Sequence, residues 1–250
     1  MNENIICCIP ARYNSSRLVG KPLLKINGKT IINHVYDRAK LLSVSKIIVL
    51  TDDKRIYNEV ISFGGNCDLS DVVCLNGTER IVKYLERLED NFDIVVNIQG
   101  DEPFININDV NLAIDKYKAD ELTNNKLVCS TLHYATRDIN EIKSKSRGKL
   151  VLSKNNNIMY CSRNVIPTSK NSDVIENHDY FIHIGVFVFD TEYLKTHYCR
   201  ENTPLQLCED IEWMKILEQG FEIVSTKVND AEISVDTIHD YEYLINKYKY

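Results

Sequence analysis

Arg12, Arg17 and Lys21 place three cations within ten residues, with Ser15 and Ser16 between them. Arginine presents a planar fork of N–H donors that matches phosphate oxygens and lysine a mobile point charge, so the segment suits a polyphosphate. It is bounded by Pro10 and Gly20 and follows Ile5, Ile6, Cys7, Cys8 and Ile9, an unalternated apolar run that reads as a strand buried on both faces. A loop leaving the first strand of an α/β sheet lies where such sheets bind their ligands. A second polar cluster, Gly100-Asp101-Glu102-Pro103, directly follows the strand-like residues 93–99, which puts its acids at a carboxyl end too. Magnesium takes one or two carboxylates and completes its shell with water and substrate phosphates, which Asp101 could supply. The loop has neither the Walker A spacing nor Gly-x-Gly-x-x-Gly, which disfavours a P-loop ATPase and a Rossmann dehydrogenase.

Alternating strands and helices must carry these groups. Ile31, Ile32, Val35 and Ala39 recur at helical spacing up to Leu42, giving a helix that begins near Thr30. Residues 46–51 read as a second buried strand, and Asp52 and Asp53 suit the cap and first turn of the next helix, which Gly64 and Gly65 end. Asn76-Gly77-Thr78-Glu79-Arg80 opens another helix, with Thr78 as its N-cap and Ile81, Val82, Leu85 and Leu88 as its apolar stripe. Residues 109–118 read as a helix and 126–132 as a strand. From 138 to 177 the alternation lapses. Asn155, Asn156 and Asn157 mark a hairpin-like turn between residues 149–152 and 158–161, and a mobile polar loop is expected over residues 168–177. Residues 181–189 return as a strand through His183 and Gly185, a helix is expected from about Leu205 to Gln219, and a strand over 221–227 precedes Asp236 and a terminal helix from Tyr241.

A chain of 250 residues fits one large α/β domain that buries roughly 70–75% of its unfolded surface. The formal charge of −6 argues against a nucleic-acid protein, which would carry a broad basic face. The apolar run after the polar Met1 to Asn4 is too short for a signal-peptide core or a membrane span, so a cytoplasmic protein is expected with no membrane partner. Its eight cysteines are then expected as reduced thiols, and no Cys-x-x-Cys suggests a zinc site.

Residues 9–23, Ile-Pro-Ala-Arg-Tyr-Asn-Ser-Ser-Arg-Leu-Val-Gly-Lys-Pro-Leu, resemble the opening of the sugar-acid cytidylyltransferases, most closely the CMP-Kdo synthetase (3-deoxy-manno-octulosonate cytidylyltransferase) family. Asn76-Gly77-Thr78-Glu79-Arg80, Gln99-Gly100-Asp101-Glu102-Pro103, Tyr160-Cys161-Ser162-Arg163 with Ile166-Pro167, His183-Ile184-Gly185 and Val235-Asp236-Thr237 follow in the family's order. The resemblance implies a nucleotidyltransferase-type, Rossmann-like three-layer sandwich with a mixed, mostly parallel sheet and a small antiparallel insertion, here residues 138–190, that serves acceptor binding and dimer contact. It implies transfer of CMP from CTP to the anomeric hydroxyl of a Kdo-type sugar acid with release of pyrophosphate, in lipopolysaccharide biosynthesis, by a homodimer that uses Mg2+. By the same resemblance Ala11, Arg12, Ser15, Ser16, Arg17, Lys21, Thr78, Arg80 and Asp101 meet CTP, with Arg12, Arg17, Lys21 and Asp101 catalytic. The resemblance further implies that Asp101 and Asp236 would hold the metal, and Gln99, Arg163, His183 and Glu212 the sugar acid.

Two positions depart from the family pattern. Glu212-Trp213-Met214-Lys215 stands where the Kdo enzymes usually show Glu-Gln followed by Leu-Arg, and Phe187 where a Tyr is common. Both changes remove a polar group from the expected sugar pocket, unless Trp213 turns its ring into the helix-sheet core. They keep open a cytidylyltransferase for another acid, such as 8-amino-Kdo, a sialic-type sugar or a phosphonate. A catalytically idle nucleotide-binding homologue is the alternative from a different class, and the joint presence of Arg12, Arg17, Lys21, Asp101 and Asp236 argues against it.

Overall fold

Every residue of β1 (Ile5–Pro10) is buried, as its unalternated apolar composition requires. The structure, a computed structural model, describes residues 4–15, 17–171, 174–199 and 201–249, so Ser16 and part of the expected 168–177 loop lie outside the described residues. The chain forms two compact units, residues 1–107 with 232–250, and residues 108–231.

In the first unit β1 leads through the polar loop to a small hairpin, β2 (Lys25–Ile26) and β3 (Lys29–Thr30), closed by Asn27 and Gly28 at φ 50° and 81°. Asn-Gly is the strongest two-residue hairpin signal, so this turn was legible but unread. Thr30 then caps α1 (Ile31–Ala39) by accepting from Asn33 N. β4 (Lys46–Thr51) pairs parallel with β1, β5 (Cys67–Leu69) pairs parallel with β4, and β6 (Ile94–Ile98) pairs parallel with the other edge of β1. The order β6-β1-β4-β5 thus makes β1 an interior strand, and the fully buried Ile6 and Ile9 each contribute roughly 1.5–3 kcal/mol relative to exposure. Asp53 caps α2 (Lys54–Ser62), which ends at Gly64 with φ 79°. α3 (Gly77–Leu85) is capped by Asn76 and not by Thr78, because Asn76 Oδ1 accepts from Glu79 N at 2.8 Å while Thr78 is already helical and fully buried. Leu88 lies beyond the end of that helix.

The second unit is entered through α4 (Ile107–Glu121). Its sheet runs β11-β7-β10-β8-β9 and is mixed, because β11 (Glu222–Val228) joins β7 (Leu127–Thr136) in parallel whereas the other pairs are antiparallel. A short α5 (Ile139–Lys143) precedes the expected hairpin of β8 (Lys149–Leu152) and β9 (Ile158–Ser162), with Asn156 at φ 63° in its turn. β10 (Tyr180–Asp190) carries a register shift between Ile184 and Phe187.

α6 (Thr191–Tyr193) runs into a π-helical turn, Leu194–Tyr198. The helix expected from Leu205 to Gln219 is instead two, α7 (Pro204–Glu209) and α8 (Met214–Glu218), broken where Asp210 turns to φ 53°. Glu218 reaches back from α8 to accept from Leu205 N and Gln206 N, so the second helix caps the first. The chain closes with α9 (Ile238–Lys247), which belongs to the first unit. No helix among the described residues is long and apolar enough to cross a membrane, and all eight cysteines are free thiols.

Candidate functional site

The loop after β1 is pinned before any ligand arrives. Ala11 N donates to Leu50 O at 2.9 Å, and Tyr13 O accepts from both Ser15 N at 3.0 Å and Gly20 N at 2.8 Å, closing the loop on itself. Gly20 sits at φ 73° with its missing Cβ only 3.0 Å from the Tyr13 ring, so both the backbone angle and the space require glycine. The Arg55 guanidinium covers that ring at 3.3 Å from its centroid and is held by both Asp53 oxygens, at 2.9 and 2.7 Å. Tyr13 and Arg55 were not anticipated, since a cation–π contact across 42 positions leaves no local sequence signal. Arg12 points its surface to solvent, and Ser15 is half-buried.

At the end of the loop Lys21 Nζ lies 2.6 Å from Asp101 Oδ2 and 3.4 Å from Asp236 Oδ1, and Arg17 Nη2 lies 2.8 Å from the same Asp236 oxygen. Burial alone would lower the Lys21 pKa, but the two carboxylates outweigh it and raise the value above the ordinary 10.5. The acid-bearing segments are themselves tied, Val235 N donating to Asp101 O at 2.9 Å. Asp240 Oδ2 accepts from Asp236 N at 3.1 Å and Thr237 N at 2.7 Å, so the capping box of α9 fixes the backbone that carries Asp236. On the other side Gly100 passes so close to Pro10 that a Cβ would lie 2.9 Å from its carbonyl oxygen. Two carboxylates sharing one lysine form a donor set that fits a hard divalent cation finished by phosphate and water. Among the described residues no group of three or more metal-ligating side chains occurs.

The Asn76 to Arg80 turn stands against the end of β1, where a Cβ on Gly77 would come within 2.9 Å of Pro10 Cγ. Gln99 Nε2 donates to Asn97 Oδ1 at 3.2 Å, and Asn97 Nδ2 to Thr78 Oγ1 at 3.3 Å. Gln99 is therefore hydrogen-bonded into the Thr78 network. Arg80 is buried and donates from Nη2 to Asp52 Oδ2 at 2.6 Å.

In the second unit Arg163 is heavily engaged with the main chain: Nε with Glu209 O at 3.2 Å, Nη1 with the carbonyls of Lys145 and Ser146 at 3.2 and 3.3 Å, and Nη2 with Asp210 O at 2.8 Å. Four of a guanidinium's five N–H directions are thereby used. The fully buried Lys149 stands behind it, its ammonium at 2.6–2.7 Å from the carbonyls of Ser144, Arg147 and Arg163. Burial pushes the Lys149 pKa down to about 8, while three carbonyl acceptors favour the charged form. Lys149 and the neighbouring Gly148, whose carbonyl accepts from His183 N at 2.9 Å, link Arg163 to the His183 strand.

His183 Nε2 is 2.9 Å from Thr131 Oγ1, whose own proton goes to Val186 O at 2.6 Å in the β10 bulge. The threonine oxygen then accepts from Nε2–H. Burial, with His133 nearby, pushes the His183 pKa to about 3, and burial with Lys227 nearby pushes that of His133 to about 4. Trp213 is only 3% exposed, its ring 5.2 Å from His183 and 6.3 Å from Phe187, so it packs into the interior against the strand that carries the anticipated histidine. Glu212 beside it is half-buried, and its carbonyl accepts from the Tyr198 hydroxyl.

The sequence profile of the cytidylyltransferase family matches residues 6–226. A 3-deoxy-manno-octulosonate cytidylyltransferase from Fusobacterium nucleatum is 39% identical over 241 residues, spanning 96% of this chain and 95% of its own. The chain belongs to this family. The mitochondrial 3-deoxy-manno-octulosonate cytidylyltransferase of Arabidopsis thaliana is 38% identical over 96% of this chain and 81% of its own. A solved CMP:2-keto-3-deoxy-manno-octonic acid synthetase, complexed with CTP, superposes with a TM-score of 0.87 at 32% identity over 98% of each chain. The nucleotidyltransferase-type α/β fold anticipated from the sequence is thus the one observed.

Within this cytidylyltransferase the first unit gathers Arg17, Lys21, Asp101 and Asp236 into one ion cluster, and Thr78 and Gln99 into a neighbouring polar network. The second unit holds Arg163, His183 and Glu212. Asp52, Arg55, Tyr13 and Lys149 were missed. Asp52 alone had a signal, an acid at the carboxyl end of a buried strand, but helix capping explained it too readily.

Proposed function

We propose that the chain transfers CMP from CTP to the anomeric hydroxyl of 3-deoxy-manno-octulosonate, releasing pyrophosphate. The observation that carries this reading is the Lys21–Asp101–Asp236–Arg17 cluster at the carboxyl end of a parallel sheet, in a chain that belongs to the cytidylyltransferase family. The acceptor hydroxyl oxygen forms a bond to the α-phosphorus as the bond from that phosphorus to the bridging oxygen of the β-phosphate breaks. The hydroxyl proton leaves to solvent and the electron pair to pyrophosphate. An anionic acceptor approaching a polyanion meets charge repulsion, so the main task is to neutralise and align the phosphates.

Lys21 and Arg17 would serve that task, and their ion pairs with Asp101 and Asp236, the acids that would bind the metal, support the reading. Arg12, exposed on the same loop, adds a fork for the outer phosphates, with Ala11 and Ser15 beside it, and the sequence adds the Ser16 hydroxyl to this CTP-binding set. Asp101 and Asp236 would hold Mg2+, which supplies phosphate charge neutralisation and acidifies the attacking hydroxyl. Thr78 and Arg80 meet the nucleotide. Gln99, Arg163, His183 and Glu212 bind the sugar acid, with His183 neutral and Arg163 offering its remaining N–H to the carboxylate. The same reading includes a homodimer built through residues 138–190, where Met159 exposes 63% of its surface, and a cytoplasmic site of action.

The test is pyrophosphate release across the four ribonucleoside triphosphates, with Kdo, 8-amino-Kdo and a sialic acid each offered as acceptor. CTP with Kdo should be the productive pair. Release with no acceptor, or only with another nucleotide, would overturn the reading.

A further inference from the structure

Among the described residues, Arg80 Nη1 is the one cationic nitrogen that is buried without a hydrogen-bond partner. Its sister nitrogen Nη2 donates at 2.6 Å to Asp52 Oδ2. The pair is lopsided: the Asp52 side chain is 42% exposed and the Arg80 side chain 9%. The carboxylate therefore faces water while the guanidinium lies in a dry setting with one terminal nitrogen unspent. A buried donor is costly to leave unmade, and native structures pair nearly all of them.

The position of Arg80 says where its acceptor comes from. It lies in the first turn of α3, whose start at Gly77 is seated on Pro10 at the end of β1. A guanidinium is rigid and planar, so whatever grips Nη2 also dictates where the Nη1 hydrogens aim. Asp52 projects from the end of β4, the parallel neighbour of β1.

We propose that Asp52 is a positioning residue for nucleotide recognition: by holding Arg80 Nη2 it fixes the guanidinium plane so that Nη1 donates to an acceptor oxygen of CTP. This rests on the reading that the chain binds CTP, and it adds a residue from outside the Asn76 to Arg80 motif. An ordinary surface ion pair between the same residues would affect stability slightly and ligand affinity not at all.

The experiment is CTP binding by titration calorimetry, without acceptor, on wild type, Asp52→Ala, Asp52→Asn, Arg80→Lys and Asp52→Ala/Arg80→Lys. Asp52→Ala should weaken CTP at least tenfold, and Asp52→Asn, which keeps an acceptor oxygen, should recover part of that loss. The double variant should bind within twofold of Arg80→Lys alone, and KM for the sugar acid should stay within twofold of wild type in Asp52→Ala. Wild-type CTP affinity in Asp52→Ala, or losses that multiply in the double variant, would overturn the role of Asp52. Failure of the wild-type protein to bind CTP would instead remove the functional reading beneath it.

Discussion

Lys21 Nζ is shared by Asp101 Oδ2 at 2.6 Å and Asp236 Oδ1 at 3.4 Å, so a single ammonium from the loop after β1 joins acids 135 positions apart in sequence. That relationship separates Lys21 from the exposed Lys25, only four residues on. Lys21→Ala should lower kcat by about 10²-fold or more, the usual scale for removing a group that meets transition-state charge, while Lys25→Ala stays within about twofold. Steady-state kinetics of the two variants decide it, and equal small effects would return the loop to ordinary surface chemistry.

Its raised pKa fixes the sign of the pH dependence. A lysine held above its ordinary 10.5 contributes stability that is complete below that pH and is lost as pH rises through the folded value. The Lys21 pair should therefore contribute nothing to the slope of Tm between pH 6 and 9, and Lys21→Met should flatten the alkaline limb above 10.5.

Asp236→Asn and Asp101→Asn should each cut turnover by two or more orders of magnitude, roughly 3 kcal/mol of transition-state stabilisation. Partly exposed pairs contribute about 0–1 kcal/mol to stability, so the Tm of either variant should move little. Near-normal turnover in Asp236→Asn would remove that residue from the site.

His183 and His133 are held neutral by burial, at about 3 and about 4 against an ordinary 6.5. With folded values depressed, stability is complete above pH 6.5 and falls as the unfolded chain takes up protons below it. Tm should decline steadily from pH 6.5 to 4, and His133→Asn should reduce that slope. A flat acid limb in wild type would contradict the neutral assignment.

Lys149→Met should leave three carbonyls without their donor and release the backbone around Arg163. An unmade buried hydrogen bond costs about 1–3 kcal/mol, so stability should drop by a few kcal/mol. KM for the sugar acid should rise while KM for CTP stays near wild type, a split that kinetics at saturating CTP resolves.

Much of the first unit was legible because its signals are local. The Ile5 to Ile9 run, the cations at 12, 17 and 21, and the acid after β6 each declare themselves within a few residues. The break at Asp210 was not, because the left-handed turn is held by tertiary contacts, Arg163 on the Asp210 carbonyl and Glu218 capping α7 from beyond the break. Lys149 escaped for a related reason: its partners are carbonyls, which every residue has and no sequence displays. Trp213 was ambiguous between pocket and core, and burial to 3% places its ring in the interior.

The central claim is best tested by product analysis with 31P NMR of CTP and Kdo incubated with the protein and Mg2+, alongside Asp101→Asn. A CMP–sugar phosphodiester and pyrophosphate should appear in equal amounts with wild type, and neither above background with the variant. Consumption of CTP without the phosphodiester, or equal product from Asp101→Asn, would contradict it.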